Sequence, residues 1–223
     1  MKFLKKINNA DEMKKWQMSS SYAIPNLVLN NEIKKVQYNV PKIIGIFIQH
    51  SDSNLYTIDE WADGGFTNEQ ANGVAVVSDK CSFVIAKTEK QYASWQNTST
   101  LIEGIATFTS KESAITDFDG ANNTDIMTNS ISKTYCSGYT FPNGQQGYLG
   151  SAGEWNELLK NYDVVNSVMI SIGGEPLNSK KFWTSTQESQ YKAWVCMTIT
   201  KSIYADDKTY YSSVMYARPF GKI

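Results

Sequence analysis

The sequence predicts an α+β fold from about residue 42 onward, antiparallel strands with two helices, on three observations. The first is a helix pattern with its own start signal. Ser151 and Glu154 stand in S-x-x-E spacing, and Trp155, Leu158, Leu159 and Tyr162 come after them at i, i+3, i+4 and i+7. The second is a further run at the same spacing, Val165, Val168, Met169 and Ile172, with Asp163 as its expected cap and Gly173-Gly174 and Pro176 as its stop. The third is the series of short apolar segments between polar turns that fills the rest of the chain, which is how strands read.

Taken in order, residues 1–41 read as a separate attachment segment. Residues 1–18 are lysine-rich, with Asp11 able to cap a short helix carrying Met13 and Trp16. Residues 24–29 and 36–39 then alternate around Asn30-Asn31 in the manner of a hairpin. The main domain is expected over 42–223. Residues 43–48 are a continuous apolar strand, residues 55–58 its returning arm after a polar turn at 51–54, and residues 74–77 and 82–86 a second hairpin across 78–80. Asp63-Gly64-Gly65-Phe66 and Gln70-Ala71-Asn72-Gly73 between them carry turn chemistry. From 92 to 139 the pattern is weaker. One helix is expected there, from Thr124 to Cys136, with Ile126, Met127 and Ile131 facing inward. Late in the chain, residues 187–215 read as a hairpin with a polar turn at 205–208.

At 223 residues the chain can hold one sizeable domain with an appendage, or two small ones, and 41% hydrophobic residues suffice for a core. Twenty-one basic against 22 acidic residues leave no electrostatic footprint for a phosphate backbone, so no nucleic-acid partner is expected. The longest apolar run is too short to span a bilayer, and the first residues lack the apolar core of a secretory signal. A soluble chain, not exported by the Sec route and without membrane insertion, is the expectation. Cys81, Cys136 and Cys196 are odd in number and far apart, which favours packed thiols over disulfides. Thirteen Tyr and 6 Trp among many Ser, Thr and Asn give the composition of a binding loop, in which rigid rings supply contact area and small polar groups adapt.

No motif points to catalysis, and no enzyme activity, cofactor or metal is expected. His50, the sole histidine, stands beside a turn and reads as a surface loop residue. No G-x-S-x-G elbow supports a nucleophile, and the glycines between Gly144 and Gly150 match neither a Walker loop nor G-x-G-x-x-G. Arg218 is the sole arginine, and its five donors at the end of the chain suit a structural tie between carbonyls or to a carboxylate.

Several pieces together resemble the C-type-lectin fold in its bacterial and phage form. They are the Gly-Gln-Gln-Gly-Tyr-Leu-Gly run at 144–150 with the capped helix after it, Phe182-Trp183-Thr184-Ser185-Thr186, Ala193-Trp194, and Tyr216-Ala217-Arg218-Pro219-Phe220. The order of the apolar strand, Tyr56-Thr57-x-x-Glu60-Trp61, Gly-Gly-Phe, Ala-Asn-Gly-Val and Phe83-Val84-Ile85-Ala86 extends the resemblance over most of 42–223. Residues 24–39 are similar to an N-terminal module of virion proteins from phages of Bacteroides-type bacteria. The resemblance implies Trp183 and Trp194 in the core and Arg218 in a structural role. Animal C-type lectins bind sugar through calcium held by a Glu-Pro-Asn loop and a Trp-Asn-Asp. Here the places read Glu175-Pro176-Leu177 and Trp183-Thr184-Ser185, without the oxygen ligands a hard cation needs. Formylglycine-generating enzymes share the fold but use a pair of reactive cysteines, and only Cys196 lies in the late region.

The resemblance implies a C-type-lectin-like phage virion surface protein, of the type diversified by retroelements, binding a host-surface glycan or protein as a tail or head fibre. The ligand face falls between the Trp-x-Ser-Thr motif and Arg218-Pro219. The candidate contacts there are Glu188, Ser189, Tyr191, Tyr204, Asp206, Asp207, Thr209, Tyr210, Tyr211 and Ser213. Other virion proteins would be met through residues 1–41, in a homo-oligomer with a trimer favoured. A non-binding decoration protein of the virion and a bacterial adhesin are the alternatives.

Overall fold

The computed structural model describes residues 27–29, 32–34 and 43–223. The chain divides into two compact units, Met1–Ile43 and Ile44–Ile223. In the first, β1 (Leu27–Leu29) pairs antiparallel with β2 (Glu32–Lys34), Leu29 opposite Glu32. The basic N-terminal stretch, the Asn30-Asn31 turn and the 36–39 arm lie outside the described residues.

The second unit is α+β, with two mostly antiparallel sheets. One sheet is built from β3 (Gly45–His50), β4 (Leu55–Tyr56), β5 (Ala71–Val77), β6 (Ser82–Ala86), β8 (Tyr148–Leu149) and β13 (Pro219–Lys222), in the order β4-β3-β5-β6-β13-β8. The last strand thus lies beside β6 from the first half of the domain, with Phe220 opposite Ile85. The other sheet is built from β7 (Lys90–Gln91), β9 (Lys181–Gln187), β10 (Lys192–Met197), β11 (Ser202–Asp207) and β12 (Met215–Ala217), in the order β11-β10-β9-β12-β7. Its pairs are antiparallel except β9 with β12, which run parallel.

Two of the helices fill the space between the sheets. The expected capping box at Ser151 forms: its backbone N–H donates to Glu154 Oε2 at 2.7 Å, and its hydroxyl accepts from Glu154 N. The first-turn donors are thereby satisfied, and the helix Ala152–Lys160 can aim its apolar stripe inward. Trp155 is fully buried, stacked on Phe182 at 4.9 Å and edge-on to Phe220 at 5.0 Å, so one ring joins both sheets. The helix Tyr162–Ser171 adds Val165, Val168 and Met169 to the same core.

Successive residues of the five-stranded sheet serve two cores, as the period of a strand requires. Phe182, Trp194, Cys196 and Ile203 face the helix pair, whereas Trp183, Ala193 and Val195 pack against Ala93, Trp95, Ile102, Ile105 and Met127. The segment 92–138, weakly patterned in sequence, therefore supplies the cover of that sheet's second face through Ala93 to Ile105 and Met127 to Cys136, whereas Phe108, Ala114 and Ile115 join the first core.

At the N-terminus of the helix Ala152–Lys160 lies a buried polar cluster. Tyr148 Oη donates to Glu154 Oε1 at 2.7 Å, and the Ser151 hydroxyl donates to Asp117 O at 2.7 Å. The Thr186 hydroxyl donates to Asp117 Oδ2 at 2.6 Å. Burial pushes the Glu154 carboxyl up to about 7, with the neighbouring Asp117 adding to the rise against hydrogen bonds from Tyr148 and Ser151.

Arg218 has the structural role expected. It is fully buried and donates to Ala86 O, Glu175 O and the Glu89 carboxylate, which also takes Lys180. Trp183 and Trp194 lie in the core, and Cys196 is a packed thiol whose ionisation burial pushes well up.

Several expectations are corrected. The returning arm expected over residues 55–58 is strand only at Leu55–Tyr56. Thr57 and Glu60 form a second capping box and start a helix, Ile58–Asp63, after a strand that ends at Tyr56. The helix expected from Thr124 to Cys136 is two helices, Gly120–Ile126 and Ile131–Gly138. Met127 leaves the helical region, Asn129 takes a left-handed φ of 52°, and the Ser130 hydroxyl caps the second piece by accepting from Lys133 N. A further short helix spans Lys111–Ala114. Asp163 lies in the first turn of its helix, where Asn161 is the cap, and it pairs with Lys201. His50 is no loop residue: it ends β3 with its ring 5.1 Å from Phe66 and 6.0 Å from both Tyr56 and Trp61.

Candidate ligand-binding face

The late hairpin turns at a different place from the one its polar residues indicate. β11 extends through Asp207, so residues 205–207 are strand, and the polar turn between β10 and β11 comes at 198–201. After β11 the chain enters a loop, 208–214, that connects this edge strand to β12 near the middle of the sheet.

The loop is fixed at both ends. At its start Lys208 is fully buried. Its ammonium donates to Gln187 Oε1 at 2.7 Å and Thr100 O at 2.9 Å, and it lies 4.5 Å from the centre of the Trp95 ring. Its carbonyl accepts from the N–H groups of Trp95 and Gln96, and its own N–H donates to Tyr191 O. Burial lowers the Lys208 ammonium to about 8, with the Glu188 carboxylate opposing the fall. At the loop's end, Lys181 N donates to Val214 O and Met215 N to Ser212 O. Gln91 Nε2 reaches Ser213 O at 2.6 Å and Tyr216 Oη at 3.0 Å.

The candidate residues fall into four groups. Glu188, Ser189 and Tyr191 form the β9–β10 turn. The Ser189 hydroxyl is spent there, accepting from Tyr191 N and Lys192 N, whereas Tyr191 is exposed and tied to the loop through Lys208. Asp207 and Thr209 make a local turn, the carboxylate accepting from both the N–H and the hydroxyl of Thr209.

Tyr204, Asp206 and Tyr210 gather around Lys181. Its Nζ lies 3.8 Å from Asp206 Oδ2, 5.4 Å from the Tyr204 ring centre and 6.0 Å from that of Tyr210. The hydrogen bond with Tyr204 is the largest influence holding the Lys181 ammonium above its ordinary range. Tyr204 is half-buried against the second core, so its ring is not free as a place at a hairpin tip would make it.

Tyr211 and Ser213 are exposed on the far part of the loop. Tyr211 lies against Tyr92, ring centres 5.7 Å apart. Tyr92, Gln91, Lys181 and Lys208 thus belong to this face although they are not among the candidates that the sequence supplies. Lys208 stands inside the expected turn, and nothing in a linear pattern distinguishes a lysine folded inward from one in water. Tyr92 is far from Tyr211 along the chain, so only the pairing of β7 with β12 brings them together.

Two features bear on cations. Among the described residues no group of three or more His, Cys, Asp or Glu side chains is placed to hold a metal ion. Thr184 and Ser185, which follow Trp183, are fully buried, with the Thr184 hydroxyl donating to Trp194 O.

No protein-family model matches the chain, and no curated protein matches it in sequence. Among solved structures, a fimbrial protein from Bacteroides ovatus is similar in fold, with a TM-score of 0.60 at 13% identity over 88% of this chain and 52% of that one. The chain spans about half the length of that protein, and at this identity the likeness is one of fold.

Proposed function

We propose that this chain is a surface attachment protein that binds a host-surface glycan or protein through the 208–214 loop and the adjoining β9–β10 turn. The observation that carries this reading is the construction of the loop. A buried lysine and backbone ties hold its ends, while Tyr210 and Tyr211 between them stay exposed. Rings that contribute nothing to the core, presented on a backbone already ordered, can anchor a partner at low entropic cost.

The finer reading is a C-type-lectin-like domain on a phage particle, of the retroelement-diversified type, with residues 1–41 joining it to other virion proteins in a homo-oligomer. The shared sheet of β6 and β13, the helix pair and a ligand loop just before Arg218 support it. A bacterial surface adhesin is the second reading, favoured by the likeness in fold to a fimbrial protein. Immunogold labelling of a producing culture separates them. Gold on phage particles supports the virion reading, gold on bacterial appendages the adhesin, and label confined to the cell interior would sink both.

A further inference from the structure

We infer that Tyr92 is a ligand-contacting residue, and that Tyr92 and Tyr211 together form a platform for the apolar C–H face of a pyranose ring. This rests on the attachment reading above and names the ligand class. Tyr92 has a φ of 57°, in the left-handed region that costs any bulky residue energy and that glycine takes freely. Such a conformation persists when something selects for it. The residue stays 44% exposed, and its hydroxyl makes no hydrogen bond among the described residues.

The backbone on either side holds the strained residue beside the loop. Gln91 Nε2 donates to Ser213 O, and Ala93 N donates to Met215 O. The result is two rings inclined at 39°, with Tyr211 itself 59% exposed. Ser212, Ser213 and the hydroxyl of exposed Tyr210 supply neutral donors and acceptors from the same loop. Both lysines of the face are engaged, Lys181 by Asp206 and the buried Lys208 by Gln187 and Thr100 O. Exposed aromatic rings bordered by neutral hydroxyls match a sugar ring, which presents C–H groups on one side and hydroxyls at its rim, better than they match an anion.

The experiment uses the full chain on a printed array of pyranose oligosaccharides, with thermal melts and adsorption to Bacteroides cells alongside. Tyr92→Gly should melt at or above the parent's temperature because the strain is relieved, yet bind the retained sugars at least about tenfold more weakly, as loss of one interface anchor would. Tyr92→Phe should keep parental binding. Tyr211→Ser, on the exposed loop, should repeat the loss independently of the backbone at 92. If Tyr92→Gly and Tyr211→Ser bind like the parent, the platform is refuted while attachment stands. If the parent adsorbs to cells but retains no sugar, the ligand is not a saccharide, and only this inference falls. If the parent does neither, both readings fall.

Discussion

Replacing Glu154 by Gln should remove a pH dependence that the parent's fold carries. The carboxyl is buried at the cap of the central helix and titrates at about 7, against an ordinary value of 4.5. Its folded value is raised, so the contribution to stability is fully present below pH 4.5 and is lost as pH rises through 7. The difference of roughly 2.5 units corresponds to about 3 kcal/mol between these limits. Gln keeps an acceptor for Ser151 N–H and can donate to the Tyr148 oxygen, so the cap survives without the charge. Urea melts of both proteins from pH 4 to pH 8 supply the test. The parent should lose stability relative to Glu154→Gln by about 3 kcal/mol, most of it between pH 5 and 7, and the gap should level off above. A gap independent of pH would mean that the carboxylate is hydrated in the folded state and that the buried cluster is misread.

Three further outcomes rest on the fold. Trp155→Ala should cost about 3–5 kcal/mol in denaturant melts, since the ring is fully buried between Phe182 and Phe220; a loss under about 1 kcal/mol would contradict that packing. Arg218→Met should cost roughly 3–5 kcal/mol because it leaves the buried Glu89 carboxylate with Lys180 alone, and a Glu89→Gln, Arg218→Met pair should recover part of that loss. Removing residues 1–41 should leave a cooperatively melting domain that no longer joins its assembly; a truncated chain without a melting transition would move the boundary.

The parts of this fold that are legible in the sequence are those written in local chemistry. Ser151 with Glu154 and the stripe from Trp155 to Tyr162 are complete within a dozen residues, and both hairpin strands around Ser78–Lys80 announce themselves by continuous apolar runs on either side of a polar turn. Thr57-x-x-Glu60 is equally legible as a capping box, but the apolar run before it favours a strand. The break at Met127 to Ser130 has no glycine or proline to mark it; Asn129 supplies the left-handed residue instead, which Asn does at low cost. The cover segment 92–138 is held by contacts to a sheet that comes later in the sequence, such as Trp95 Nε1 to Thr184 O and Trp183 Nε1 to Ala93 O, and no window of the chain contains both partners. The candidate face divides in the same way. The exposed Tyr210 and Tyr211 are visible in composition. The inward turn of Lys208, the burial of Tyr204 against the second core and the arrival of Tyr92 depend on tertiary pairing.

Adsorption of Tyr210→Ala and Tyr211→Ala to host cells, measured beside their melting temperatures, tests the ligand face most directly. Both side chains are exposed on a loop whose ends are held by other residues, so the melting temperatures should match the parent's. Binding should weaken at one or both by roughly 2 kcal/mol, about thirtyfold in dissociation constant. Parental binding by both variants would contradict a ligand face on this loop and favour a non-binding structural role for the domain.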